Sequence, residues 1–145
     1  MDKSTTTKRI VHNRSFPAKI CSCEDTKKFL REVCSAIQFS SLEMFQLELA
    51  IDEAFVNAAD HGVYCCPDAE IDVSLIEEKN RITVIVKDFG GKPFNPTFFE
   101  KISERKFWGI GGRGIKIIKE IMDEVMYIFI AGKSTTLYMV KNKEM

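Results

Sequence analysis

Residues 47–62 read LELAIDEAFVNAADHG, an apolar helical stretch interrupted by Glu53 and Asn57. A spacing of four residues places both polar side chains on one helical face. Burying a carboxylate is costly unless it gains partners, so Glu53 calls for a reason. One reason is a Mg²⁺ ion held by the Asn57 carbonyl oxygen, with Glu53 acting on a hydroxyl as general base. The other is the solvated edge of an amphipathic helix, and the pattern alone leaves both open.

Two helices are predicted around this stretch. The first covers Asp25–Gln38, where apolar residues recur at helical spacing. The second runs from about Leu42 to His61, begins after the capping box Ser40-x-x-Glu43, and stops at Gly62.

The remaining pattern predicts strands and one further helix. An extended segment precedes the helices and ends near Pro17, and the turn Lys79–Asn80 separates two alternating strands. The predicted segments are an extended stretch at 9–20, strands at 71–75, 81–87, 124–130 and 135–141, and a helix at 114–123. Strands joined as hairpins predict an α/β (α+β) two-layer sandwich, with a mixed, mostly antiparallel sheet and helices on one face.

Composition restricts the class of protein. The 145 residues predict a single domain, with residues 1–8 as a flexible tail. Lysine plus arginine, 21, equals aspartate plus glutamate, 21, which gives no reason to expect nucleic acid or an anionic membrane as partner. No apolar stretch approaches the roughly 20 residues of a membrane span, and the polar start lacks a signal-peptide core, so a cytoplasmic location is expected.

The five cysteines include two close pairs, Cys21/Cys23 and Cys65/Cys66. Neither pair has the two-residue gap of a zinc knuckle, and Cys34 falls in an apolar helical pattern. Free thiols are therefore expected.

A second candidate site feature is Asp88-Phe89-Gly90-Gly91, directly after a buried strand. A carboxylate at a strand end can accept a hydrogen bond from an exocyclic amine such as that of adenine. Gly90 beside it would let a ring lie against bare backbone. The alternative is a plain turn, in which Asp and Gly are favoured.

A third feature is the glycine-rich stretch at 109–115, GIGGRGI, opening a helix. Backbone N–H groups there can close around phosphate oxygens, and Arg113 can add a charged contact. The candidate nucleotide-binding residues are Gly109, Gly111, Gly112, Arg113, Gly114 and Ile115. The stretch is neither a Walker A loop nor a dinucleotide-binding fingerprint, and a flexible hinge is the alternative. The stretch before it is long and irregular, which suggests that residues Asn95–Trp108 form a mobile lid over the nucleotide.

Taken together, the three features resemble the N, G1 and G2 boxes of the GHKL ATPases. The sequence is most similar to the stand-alone anti-sigma-factor serine kinases, through DEAFVNAADHG at 52–62, PFNP at 93–96, GRGIKII at 112–118 and MDEV at 122–125. The resemblance extends from about Arg9 to Lys141. It implies a Bergerat ATP-binding fold that binds Mg²⁺ and ATP between helices and sheet.

By position, the resemblance implies a role for each matching residue. Glu53 matches the catalytic base, Asn57 the Mg²⁺ ligand, Asp88 the adenine-reading carboxylate and Gly90 the G1 glycine. The phosphate-loop glycines are matched by Gly112 and Gly114. Members of this family phosphorylate a serine on an anti-anti-sigma (STAS-domain) protein, hold a sigma factor inactive, and commonly form homodimers.

Two departures from the family pattern are present. Gly91-Lys92 lengthens the stretch before Pro93-Phe94, and Ser134-Thr135 stands where Gly-Thr is usual. The alternative function is an ATP-binding partner-switch module without kinase activity. Retention of Glu53 favours the kinase, because a pure binding module has no evident need of a base there.

Overall fold

The computed structural model describes residues 8–62, 68–89, 110–130 and 133–144. Within these ranges there are three α-helices and five strands, with a short 3₁₀ turn at Ile20–Ser22 before the first helix. In chain order they are β1 (Ile10–Pro17), α1 (Cys23–Cys34), α2 (Ser41–Gly62), β2 (Glu70–Glu78), β3 (Arg81–Asp88), α3 (Ile110–Ile121), β4 (Glu124–Ile130) and β5 (Ser134–Asn142).

The five strands form one sheet in the order β1–β2–β3–β5–β4. Every pairing is antiparallel, so the predicted mostly antiparallel sheet is confirmed without a parallel pair among the described strands. Alternate residues of the central strands are buried against the helices, and one continuous core includes Leu30 of α1, Phe55 of α2 and Ile118 of α3. The α+β sandwich with helices on one face is therefore confirmed.

The first helix ends earlier than its apolar spacing predicts. It stops at Cys34 rather than Gln38, and the Ile37 N–H bonds to the Cys34 carbonyl in a turn. Ile37 is nevertheless only 2% exposed. Its apolar character thus reflects core packing from the turn, which periodicity cannot distinguish from helix. Gln38 then takes a left-handed φ of 61°.

The third helix starts earlier than predicted. It begins at Ile110 rather than Gly114, so Gly111 and Gly112 are helical. Glycine costs about 1 kcal/mol relative to alanine inside a helix, which made a loop the natural expectation. Packing of α3 against α2 supplies the stability that the local sequence lacks.

The capping box at the start of α2 is confirmed. The Ser40 N–H donates to Glu43 Oε1 at 2.7 Å, and the Glu43 N–H donates to Ser40 Oγ at 3.1 Å. Glu43 Oε2 also accepts from the Glu144 N–H at 2.7 Å, which fastens the end of the chain to this helix start.

None of the helices in the described part of the chain is both long and apolar enough to span a bilayer. Several predictions fall on residues outside the described ranges: the lid at 95–108, the positions of Gly90 and Gly109, and the pair Cys65/Cys66.

Candidate nucleotide-binding site

One cavity lies between α2 and the sheet, beside the end of β3. It encloses about 330 Å³, part of it open to solvent. Helix α2 and three strands line it, through Ala54, Asn57, Ala58, Val86, Asp88, Tyr127, Thr135 and Leu137. Two of the three predicted site features, Asn57 and Asp88, thus meet in one place although 31 positions separate them in the sequence.

Asn57 contributes an unsatisfied polar group to this cavity. Its side chain is only 7% exposed, and no described residue accepts a hydrogen bond from its buried Nδ2 atom. A buried donor without a partner costs about 1–3 kcal/mol, and native proteins leave few of them. A ligand with acceptor oxygens, such as a phosphate, would remove this cost.

Asp88 is the last residue of β3 and is 6% exposed. In the sheet register it lies opposite Ile71 on one side and Thr135 on the other. The strand therefore delivers a buried carboxylate into the apolar end of the cavity. Such a group can accept a hydrogen bond from an amine on a planar heterocycle.

Glu53 lies one helical turn before Asn57 on the same face of α2 and is half-buried. Its Cα is about 6 Å from that of Asn57 along the helix axis. It does not line the cavity itself. The structure therefore places Glu53 beside the cavity, one helical turn from Asn57.

The glycine-rich candidates lie in the first turns of α3. Gly111, Gly112, Arg113, Gly114 and Ile115 are helical residues, which corrects the expectation that the glycines precede the helix. The first four N–H groups of a helix have no intrahelical acceptor, so the start of α3 directs backbone donors away from the helix. An anion is favoured at such an end.

Lys141 fixes the other end of α3. Its ammonium, on a side chain buried in β5, donates to Gln46 Oε1 and to the Ile121 carbonyl, both at 2.8 Å. Helix α2 begins only five residues before Gln46. The end of α3 is thereby tied to the first turns of α2, and the 12-residue helix, about 18 Å long, packs on α2.

Several lining residues were not predicted as site residues. Thr135 is 9% exposed and faces the cavity opposite Asp88; the sequence had singled it out only as part of a departure from the family pattern. Val86 could have been found from its alternation with Asp88 along one strand. Tyr127 and Leu137 offered no signal, because their place depends on the strand order β3–β5–β4.

The residues present suit a magnesium–nucleotide complex. Mg²⁺ keeps several waters and is commonly bound by one or two protein oxygens plus substrate phosphates. The Asn57 amide offers one carbonyl oxygen and an unsatisfied donor in the same group. Among the described residues, no three or more His, Cys, Asp or Glu side chains form a metal site of their own. A Mg²⁺ ion here would therefore depend on the phosphates of the nucleotide for its other ligands.

The described cysteines Cys21, Cys23 and Cys34 are free thiols. Burial and the neighbouring Asp52 carboxylate raise the pKa of Cys23 to about 12. Burial likewise raises the pKa of Cys34 to about 12. Both therefore remain protonated near neutral pH and are poor nucleophiles.

Comparison with known proteins identifies the class. The family model of the histidine kinase-like ATPase domain matches residues 16–141, most of the chain. The chain therefore belongs to the histidine kinase-like ATPase family, as the three motifs predicted, and membership of an ATPase family implies that the protein binds ATP.

Curated relatives refine this assignment. The anti-sigma F factor of Geobacillus stearothermophilus is 30% identical over 105 residues, covering 68% of this chain and 69% of that protein. The anti-sigma F factor of Geobacillus kaustophilus is 29% identical over 106 residues, covering 69% and 70%. Within the ATPase family, the chain thus groups with the anti-sigma factors by sequence.

A solved structure supports the fold. A chain of the SiaB–SiaC complex from Pseudomonas aeruginosa matches with a TM-score of 0.65 at 14% identity, covering 89% of this chain and 88% of that chain. At this identity the similarity concerns the fold alone.

Proposed function

We propose that this protein is an ATP-dependent serine protein kinase and anti-sigma regulator. It phosphorylates a STAS-domain anti-anti-sigma protein and, when that partner does not occupy it, sequesters a sigma factor. It acts in the cytoplasm, where ATP is available. The sequence relationship to anti-sigma F factors supports the regulatory role.

The observation that carries the proposal is the arrangement of Asn57, Asp88 and Glu53. Asn57 and Asp88 line one cavity, and Glu53 lies a single turn away at its border. Asp88 holds the adenine amine, and the Asn57 carbonyl oxygen binds Mg²⁺, which offsets phosphate charge. The N–H groups at the start of α3, among them those of Gly112 and Gly114, bind the phosphates. The resemblance assigns Gly90 to the G1 position beside Asp88.

In the proposed reaction Glu53 acts as general base. The serine Oγ forms a bond to the γ-phosphorus of ATP while the bond from that phosphorus to the β–γ bridging oxygen breaks. ADP leaves, and the hydroxyl proton passes to the Glu53 carboxylate. Positioning and electrostatic stabilisation supply most of the rate in phosphoryl transfer, so Glu53 must be both oriented and near the hydroxyl.

Single-turnover phosphotransfer tests this function. The probe is a STAS-domain protein from the organism that encodes this chain, with labelled ATP. We expect Glu53→Gln to slow transfer by about 10²- to 10⁴-fold with nearly normal nucleotide affinity, because glutamine keeps the shape but cannot accept the proton. Asp52→Asn, a neighbouring half-buried carboxylate beside Lys27, is the control and should transfer at the wild-type rate.

Two results would contradict the proposal. Undiminished transfer by Glu53→Gln removes the base assignment. Binding of ATP and of the STAS-domain protein by the wild type, without transfer, favours the partner-switch module that lacks kinase activity.

The homodimer is part of the proposal. The sheet face away from the helices carries an apolar set comprising Ile76, Ile85, Met126, Ile128, Tyr138 and Val140, of which Met126 is 57% and Ile128 39% exposed. At about 4.8 Å between strands and 3.3 Å per residue, the whole face of the five-strand sheet measures roughly 600 Å². That approaches the ~800 Å² per partner of a stable interface. Sedimentation equilibrium should show Met126→Asp shifted toward monomer, and a monomeric wild type would exclude the dimer.

A further inference from the structure

The outward face of α2 is unexpectedly apolar. Leu42 and Phe45 are each 65% exposed, and Leu49 and Val56 are half-buried on the same side. We call these four residues the α2 stripe. A helix with its core on one side normally carries polar residues opposite, and single exposed apolar residues need no explanation, whereas an aligned set does.

The α2 stripe lies directly beside Glu53 on the helix surface. At about 100° per residue, all four stripe residues lie within roughly 80° of Glu53 around the helix, and all on one side of it. Along the axis, Leu49 is about 6 Å before Glu53 and Val56 about 4.5 Å after it. The proposed base is therefore bordered by apolar side chains on one side, the side that faces solvent.

The nucleotide cavity lies on the other side of Glu53. Going round the helix in the opposite direction, Asn57 is about 40° from Glu53 and Ala54 about 100°, and both line the cavity. Glu53 thus marks the boundary between the side that holds the nucleotide and the side that carries the stripe. A base that takes a proton from the acceptor while the donor reacts belongs at such a boundary.

The charged groups beside the stripe are already paired. Glu48 accepts a hydrogen bond from Arg31 at 2.9 Å, and Asp52 lies 3.9 Å from Lys27, both toward α1. On the opposite side Gln46 is held by Lys141. The four stripe residues are themselves uncharged, and the side chains of Glu48, Asp52 and Gln46 beside them are directed to partners on other elements.

We propose that the α2 stripe is the docking surface for the phosphoacceptor protein, an inference that rests on the proposed kinase function. The acceptor must bring its serine hydroxyl within about 3 Å of Glu53. A standard interface of ~800 Å² per partner is a disc of about 16 Å radius. Centred on Glu53, that disc reaches Leu42, about 16 Å away along the axis. The partner is accordingly a folded domain with an apolar surface next to its acceptor serine.

The double variant Leu42→Ser/Phe45→Ser tests the proposal. Both side chains are exposed, so the fold should be retained, as a thermal melt and an unchanged sedimentation profile can verify. With the same STAS-domain protein as probe, we expect the dissociation constant and KM to rise at least ~10-fold, because exposed anchors are lost from the interface. The rate at saturating partner and the affinity for ADP should stay within about twofold of wild type, since both residues lie outside the cavity.

Two controls make the result specific. Val11→Ser removes an apolar side chain of matched exposure, 64%, from β1 on the far side of the sheet and should leave partner binding unchanged. Phe45→Leu should retain most of the wild-type affinity. Unchanged partner affinity in the double variant, or no binding by the wild type, overturns the docking surface. If the wild type binds the partner, and the double variant weakens that binding, but no phosphate is transferred, the kinase function alone is overturned.

Discussion

Two buried polar residues on α2 behave in opposite ways. Glu43 and Asn57 are 4% and 7% exposed, and they lie about 21 Å apart along the helix. Glu43 is saturated with partners, since its carboxylate accepts from the backbone of Ser40 and of Glu144. Asn57 keeps a buried amide donor for which no described residue is the acceptor.

This difference distinguishes a residue that stabilises the fold, Glu43, from a residue that we expect to bind a ligand, Asn57, within one helix. A satisfied buried polar group fixes the position of an element and contributes to stability. An unsatisfied one is a cost that the folded protein tolerates where a ligand removes it. Helix α2 is therefore fixed by hydrogen bonds at its first turn and carries an unsatisfied buried donor one turn beyond Glu53.

Replacement of Asn57 should give the largest effect on binding and none on folding. Asn57→Ala removes both the proposed Mg²⁺ ligand and the donor proposed to reach phosphate, so the affinity for the Mg²⁺–ATP complex should fall roughly 100-fold. The free energy of unfolding without nucleotide should not decrease, because the variant deletes an unsatisfied buried group and alanine favours helix. Calorimetric titration and urea unfolding measure the two quantities. A clear loss of apo stability would mean that Asn57 is structural after all.

Replacement of Asp88 should weaken the base-binding part of the site. Asp88→Asn loses a charged acceptor from a buried hydrogen bond, which costs about 1.5–3 kcal/mol, a factor of roughly 10 to 150 in the dissociation constant for ADP. Asp72→Asn, on the adjacent strand and bonded to Ser15, is the control and should bind ADP normally. Equal affinities for Asp88→Asn and wild type would contradict the adenine assignment.

The sequence predicted the satisfied end of α2 better than the ligand end. Ser40 and Glu43 are three residues apart, and local spacing is enough to predict a capping box. The meeting of Asn57 with Asp88 could be expected only through the family resemblance, because it depends on how the helix crosses the sheet. Thr135 and Tyr127 required the strand order itself, which no local pattern contains.

The helix limits show the same division. The predicted end of α1 and the predicted start of α3 were both wrong. In each case a tertiary contact overrode the local sequence signal. Ile37 is buried from a turn, and Gly111 and Gly112 are helical because α3 packs on α2. Local propensity is a weak prior wherever packing provides more free energy than the residue itself.

Replacement of Glu43 should affect stability and leave the ligand unaffected, the reverse of Asn57. Glu43→Ala removes the capping interaction and the anchor for Glu144, so the free energy of unfolding should fall by about 1–2 kcal/mol. Glu48→Ala on the same helix removes an exposed pair with Arg31 and should cost no more than about 0.5 kcal/mol. Urea unfolding measures both. A change in the nucleotide affinity of Glu43→Ala would contradict the view that the first turn of α2 serves stability alone.

The smallest expected effect is the dependence of this anchor on pH. Burial alone would raise the pKa of Glu43, but hydrogen bonds from the backbone of Glu144 and Ser40, with the Ser40 hydroxyl and the nearby Lys141 charge, hold its pKa below the ordinary value of 4.5. A carboxyl whose pKa is depressed on folding stabilises the protein above its unfolded pKa, and this contribution is lost as the pH falls through the folded value. Glu43→Gln keeps the size of the side chain and one acceptor but has no charge to lose.

The difference in the free energy of unfolding between wild type and Glu43→Gln should therefore be constant from pH 7 to about 5 and shrink below about 4.5. Taking the difference cancels the other carboxylates, which titrate alike in both proteins. Urea unfolding at pH 7, 5, 4 and 3 provides the comparison. A difference that stays constant down to pH 3 would show that Glu43 stabilises α2 by its shape and not by its charge, and the contrast with Asn57 would then concern hydrogen-bond partners alone.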